Sequence, residues 1–144
     1  MINKYFLEEP NILDLSKEIF NAVVDENFKI ETRFELISKK IEDAEIINFI
    51  LADGLGFSNL QSTDSFLNEH INNVVNTTFP SSTNVALTTI AMQTNPIDHG
   101  VFGYYMFDKL KYGLINALNW NAENKNLLLS KYFNNQSSIW RVFK

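Results

Sequence analysis

Two short segments carry side chains of the right type for phosphate chemistry. The first is Leu51-Ala52-Asp53-Gly54-Leu55-Gly56, directly after an apolar run. A carboxylate at the carboxyl end of a buried strand stands where open α/β sheets bind ligands, and it can coordinate a hard or borderline cation. Gly54 and Gly56 let the backbone turn beside it. The same pair also spells an ordinary Asp-Gly turn. The second segment is Phe79-Pro80-Ser81-Ser82-Thr83, just ahead of an apolar helical stretch. A hydroxyl at a helix start faces amide N–H groups and the positive end of the helix dipole, which suit a phosphate. It becomes a competent nucleophile when a metal or a base lowers its pKa. The alternative is that Ser81, Ser82 or Thr83 simply caps the helix. If the two segments end neighbouring strands, one cation can touch both Asp53 and Thr83.

The remaining polar candidates read as structural. His99, in Asp98-His99-Gly100, fits a loop residue better than a ligand or base, and His70 falls near the end of an expected helix, on the surface. Tyr104, Tyr105, Trp120 and Trp140 can line a pocket, but core packing is the simpler role for each. The chain has no cysteine, which excludes thiolate metal sites and a disulfide framework.

These candidates need elements to hold them. Asn11 is placed to cap a helix carrying Ile12, Leu15, Ile19, Phe20, Val23 and Val24 at helical spacing. Residues 32–41 form a second amphipathic pattern. Glu45 to Ala52 (EIINFILA) reads as a strand buried on both faces, as in a parallel sheet. A helix follows over 64–71, with Thr63 as its cap, and then a strand over Asn73 to Phe79 (NVVNTTF). The stretch after Thr83 is apolar almost all round, which predicts a buried helix ended by Asn95-Pro96. Val101 to Phe107 reads as a strand, and Leu114 to Trp120 as a strand or irregular segment. The tail opens an amphipathic helix at Ser137 or Ser138. Its Ile139, Trp140, Val142 and Phe143 need partners, so the expectation is a domain that continues past Lys144. Strands alternating with helices give the α/β class with a mostly parallel sheet. Residues 1–43 form a helical lead-in and 45–144 the start of the sheet core.

Bulk properties narrow the function classes. With 144 residues and 45% apolar content, the chain suits one domain with a sizeable core. Its net charge of −5 argues against capture of a nucleic-acid polymer or an acidic membrane. It does not argue against small phosphate esters, because a metal supplies local positive charge. No run has the length of a membrane span and Glu8, Glu9 and Asp14 interrupt the N-terminal segment, so the expected location is cytoplasmic.

Taken in order, four segments resemble the type I phosphodiesterase and nucleotide pyrophosphatase branch of the alkaline phosphatase superfamily. They are ILADGLG at 50–56, FPSSTNVALTTI at 79–90, NPIDHGVFGYYMF at 95–107 and GLINALNW at 113–120, together spanning about half the chain. The resemblance implies an alkaline-phosphatase-like three-layer α/β sandwich, represented by its N-terminal part and incomplete at the C-terminus. It implies a metal-ligand role for Asp53, a nucleophile and metal-ligand role for Thr83, and two divalent ions, zinc in the first instance. The implied substrate is a small-molecule phosphate ester. The implied reaction is two-step transfer: metal-held Thr83 attacks phosphorus, and water hydrolyses the phospho-threonine. Nucleotide pyrophosphatases of this family often carry an asparagine three residues after the nucleophile. This chain has Ala86 there, with Asn84 as the neighbouring substrate-binding candidate. The family's complete two-metal site uses three histidines, whereas this chain has two. The chain alone is therefore expected to show little or no turnover. The alternatives are a sulfatase-like or phosphonate-cleaving relative, and a non-catalytic α/β binding module.

Overall fold

The computed structural model describes residues 9–24, 41, 44–109, 113–119 and 121–122. Helix α1 spans Ile12–Val24 and starts where a side chain can satisfy its first amides. The Asn11 Oδ1 accepts from the Leu13 N–H at 2.8 Å and the Asp14 N–H at 3.3 Å, while Asp14 Oδ2 accepts from the Asn11 N–H at 3.1 Å. This is a reciprocal capping box with Asp in place of Glu, and it stops the helix fraying at that end.

The chain divides into two compact units. One comprises residues 1–10 and 18–76. Within it, Phe20 and Phe49 meet edge to face at 5.6 Å between ring centres. Helix α2 (Phe57–Gln61) and a 3-10 turn (Phe66–His70) follow, and neither contains a buried residue. The turn is capped by Ser65, whose hydroxyl accepts from the Leu67 N–H at 3.2 Å. Thr63, the expected cap, instead donates to the Leu60 carbonyl at 3.0 Å, so the element starts later than its sequence suggests. Residues 46–52 form no strand, and Ile46 and Ile50 are 78% and 86% exposed. Residues 73–79 hold only an isolated bridge position at Asn76. A strand needs a neighbour for its amides and carbonyls. Among the described residues of this unit no neighbouring strand flanks either run, so the apolar sequence alone does not make a ladder.

The other unit comprises residues 11–17 and 77–144. Its spine is helix α3, Thr83–Met92, followed by the short helix α4, Pro96–His99. Gln93 ends α3 in the left-handed conformation (φ 56°). Its Nε2 donates to the Ile90 carbonyl at 2.9 Å and to Ser16 Oγ at 3.1 Å. Ser16 is fully buried and donates onward to the Leu13 carbonyl at 3.0 Å, so one hydroxyl ties the start of α1 to the end of α3. Three strands then form an antiparallel sheet in sequence order: β1 (Tyr105–Asp108), β2 (Gly113–Asn116) and β3 (Asn121–Ala122). Tyr105 opposes Asn116, Met106 opposes Ile115, and Phe107 opposes Leu114. Side chains alternate across the pleat. Ile115 is accordingly buried and Met106 packs on the Val85, Val101 and Ala117 core, while Tyr105, Phe107 and Leu114 face outward. The sheet seen in the described residues is thus antiparallel, unlike the mostly parallel one expected. Of the expected helix over 32–41 only residue 41 is among the described residues, and the helix expected from Ser137 or Ser138 lies outside them. Among the described residues no helix is long and apolar enough to cross a membrane.

Gly100 closes α4 with φ 73°, and its N–H donates to the Pro96 carbonyl at 2.9 Å. A Cβ there meets no atom within 4 Å, so substitution is resisted by backbone conformation and not by space. Gly100→Ala should destabilise the protein by about 1–2 kcal/mol, and Gly100→Asn by less, because Asn tolerates this region. Urea unfolding of the two variants checks the order.

Candidate functional site

Thr83 is the first residue of α3. Ser82 holds the N-cap position in extended conformation, and its carbonyl accepts from the Ala86 N–H at 3.0 Å. Its hydroxyl does not cap the helix; it donates to Asn84 Oδ1 at 3.0 Å. The capping alternative therefore holds for Ser82 by backbone position and fails for its side chain. Thr83 Oγ1 lies 3.1 Å from the Tyr104 hydroxyl, 21 residues away in sequence.

Next to the pairing of Thr83 with Tyr104 lies Asn84, which is only 2% exposed. Its Nδ2 donates to the Gly103 carbonyl, and its own carbonyl accepts from Thr88 Oγ1 at 2.7 Å. The next carbonyl, that of Tyr104, accepts from the Ala117 N–H at 2.8 Å. The Gly103–Tyr104 segment is thereby clamped between the start of α3 and the residue that follows β2. Asn84 has both ends of its amide committed within the chain, which makes it a brace for this corner. Tyr104 itself is 45% exposed. The sequence predicts a core aromatic at this position. The only hint otherwise was a phenol, not a phenylalanine, after a glycine in an otherwise apolar run.

Asp53 lies in the first compact unit, in an exposed turn whose Gly54 has φ 71°. The turn that its sequence allows is therefore formed. His70, also in that unit, is exposed, and its Nδ1 donates to the Phe66 carbonyl at 3.0 Å. His99 belongs to the second unit and is 6% exposed. Its Nδ1 accepts from the Val101 N–H at 3.1 Å, and its Nε2 is 2.9 Å from Thr89 Oγ1. An amide can only donate, so Nδ1 is bare and Nε2 carries the proton that goes to Thr89. Burial lowers the pKa of His99 below its ordinary value, and the nearby Asp98 carboxylate offsets part of that fall. Both ring nitrogens are used inside the fold, which agrees with a structural histidine.

Among the described residues, no three His, Cys, Asp or Glu side chains are grouped so as to hold a metal ion. Asp53 and Thr83 are oxygen ligands of suitable type, but the described residues do not by themselves make a two-metal centre. Comparison with protein-family models, with curated proteins and with solved structures finds no match.

Proposed function

We propose that this chain carries the nucleophile-bearing part of a phosphoric-ester hydrolase, with Thr83 as the attacking residue and Asp53 as a metal ligand. The observation that carries the reading is the setting of Thr83. Its hydroxyl opens a ten-residue helix, lies outside the apolar core, and meets a second hydroxyl from Tyr104. A helix start favours an anionic group through its amides and dipole, and the neighbouring Ser82 hydroxyl is turned aside onto Asn84. The ordered likeness of the four sequence segments supplies the reaction class. Thr83 Oγ, its proton given up to solvent, would bond to phosphorus as the ester oxygen leaves with its electron pair and takes a proton from water. Water would then release phosphate from the threonine. Substrates would be small phosphate esters. Two divalent cations, zinc first among them, would supply positive charge for the phosphate oxygens when bound, and Asp53 and Thr83 are the ligand candidates present. The fold that goes with this reading is the parallel α/β sandwich. Its support is the pattern of the two apolar runs at 45–52 and 73–79, which end at Asp53 and just ahead of Thr83.

The test is covalent labelling. The 144-residue chain is incubated with zinc and bis(4-nitrophenyl) phosphate, and its peptides are weighed by mass spectrometry. The expected result is a 4-nitrophenyl-phosphoryl adduct on the peptide bearing Thr83, with release of one 4-nitrophenolate for each adduct formed and little multiple turnover. Thr83→Ala should lose the adduct. Labelling or turnover that persists in Thr83→Ala removes Thr83 from the role.

A further inference from the structure

The geometry points to Tyr104 as a positioning residue that holds the Thr83 hydroxyl in one rotamer through its phenol oxygen. The inference rests on the reading of Thr83 as the nucleophile, but its geometric content stands apart from it. Threonine has a branched Cβ, and at a helix start its Oγ1 can turn either toward the backbone or outward. A partner fixed from elsewhere in the fold selects between those positions. Tyr104 is such a partner, because its backbone is held on two sides. The Gly103 carbonyl before it takes the Asn84 amide, and its own carbonyl takes the Ala117 N–H at 2.8 Å. The bond from Asn84 starts one residue after Thr83, so the segment that presents the phenol is fixed to the same helical turn that presents the hydroxyl. The two oxygens meet at 3.1 Å. The arrangement leaves Tyr104 45% exposed and the pairing at the surface, where a substrate has access. Outside the active corner, the exposed Tyr105–Phe107–Leu114 face of the sheet and the buried His99–Thr89 pair present no comparable convergence on a reactive atom.

A threonine restrained by one neutral hydrogen bond gains a preference of about fivefold for that rotamer. The restraint is read by nuclear magnetic resonance on the full 144-residue chain with labelled threonine methyl groups, using three-bond couplings about the Thr83 Cα–Cβ bond. The wild type should show one dominant rotamer. Tyr104→Phe keeps the ring and removes the oxygen, and it should lower the rotamer ratio by about fivefold. Tyr105→Phe, an exposed neighbour facing outward, should leave it unchanged. Unchanged couplings in Tyr104→Phe would overturn the inference, as would an equal shift in Tyr105→Phe. If Tyr104→Phe loses the fold, Ala117→Pro provides the second approach: it deletes the N–H that holds the Tyr104 carbonyl and should produce the same rotamer loss, and unchanged couplings there overturn the clamp. The two readings fail separately. Altered couplings with no phosphoryl adduct on Thr83 sink the hydrolase reading and leave the positioning role intact. An adduct with unaltered couplings does the reverse.

Discussion

Asn84→Ala should cost about 2–4 kcal/mol of folding stability, a larger loss than most surface substitutions produce. Asn84 is buried to 2% exposure, and its amide serves two partners at once. Truncation leaves the part-buried Gly103 carbonyl without its donor and removes the acceptor for Ser82 Oγ. The Ser82 hydroxyl is half-buried and can turn to solvent; the carbonyl is the expensive group. Asn84→Asp separates shape from chemistry. It keeps the volume and the acceptor for Ser82, and its negative charge is favourable at the start of α3. It also sets an oxygen against the Gly103 carbonyl where a donor stood, and it should still destabilise. Urea denaturation of the three proteins measures the ranking. If Asn84→Ala loses under about 1 kcal/mol, the Asn84–Gly103 bond is not what fixes this corner.

The second large effect concerns His99 and has a pH dependence whose sign follows from its tautomer. The folded protein needs a bare Nδ1 for the Val101 N–H. Protonating Nδ1 would point one N–H at another inside a site that burial already makes unfavourable for charge. The unfolded histidine accepts its proton near its ordinary value of 6.5, whereas the folded one resists it. At pH below that value the unfolded state therefore binds more protons. The contribution of His99 to stability is complete above about 6.5 and is lost as pH falls through its lowered folded value. His99→Leu should remove this pH dependence. It should also cost about 2–4 kcal/mol near neutrality, because it leaves the Val101 amide and the Thr89 hydroxyl without their partner. Thermal unfolding of both proteins between pH 5 and pH 8 (about the range over which histidine titrates) provides the check. Parallel profiles for the two would mean that another group carries the acid sensitivity.

What could be read from sequence was local. The start of α1 rests on the Asn11 side chain bonding to backbone within a few residues, while the start of α3 after the serines and the break at Asn95-Pro96 rest on local backbone conformation, with no side-chain capping bond from Ser82 or Asn95. His99 read as a structural loop residue beside a glycine; its burial and its bonds to Val101 and Thr89 were not legible. Partners far along the chain were not legible. The run EIINFILA has the composition of a central strand, but strand formation depends on neighbours that composition does not name. The antiparallel pairing of Tyr105–Asp108 with Gly113–Asn116 was hidden for the same reason, since the sequence offered two strand-like runs without their register. Tyr104 was not legible because its ring type points to packing, while the partner of its oxygen, Thr83, lies 21 residues away. The same limit holds for the proposed site: Thr83 stands out by type and position, while the Asn84 brace that serves it depends on Gly103, 19 residues on.

The hydroxyl of Ser16 has a consequence for how this protein is made. Its partner Gln93 lies 77 residues downstream, and the compact unit that both belong to is assembled from two separated stretches of chain. A ribosome delivers the first stretch early and must then extrude the whole intervening segment before the second arrives. Until then the Ser16–Gln93 bond is unmade, and the opening turn of α1 leans on its own Asn11 cap. Cutting the gene at residue 77 would yield a polypeptide that carries the residues 11–17 stretch of this unit without the segment from Thr77 onward that it packs with. Excision of this unit for separate study would instead call for a permuted gene, with residues 11–17 rejoined by a linker to the segment that starts at Thr77.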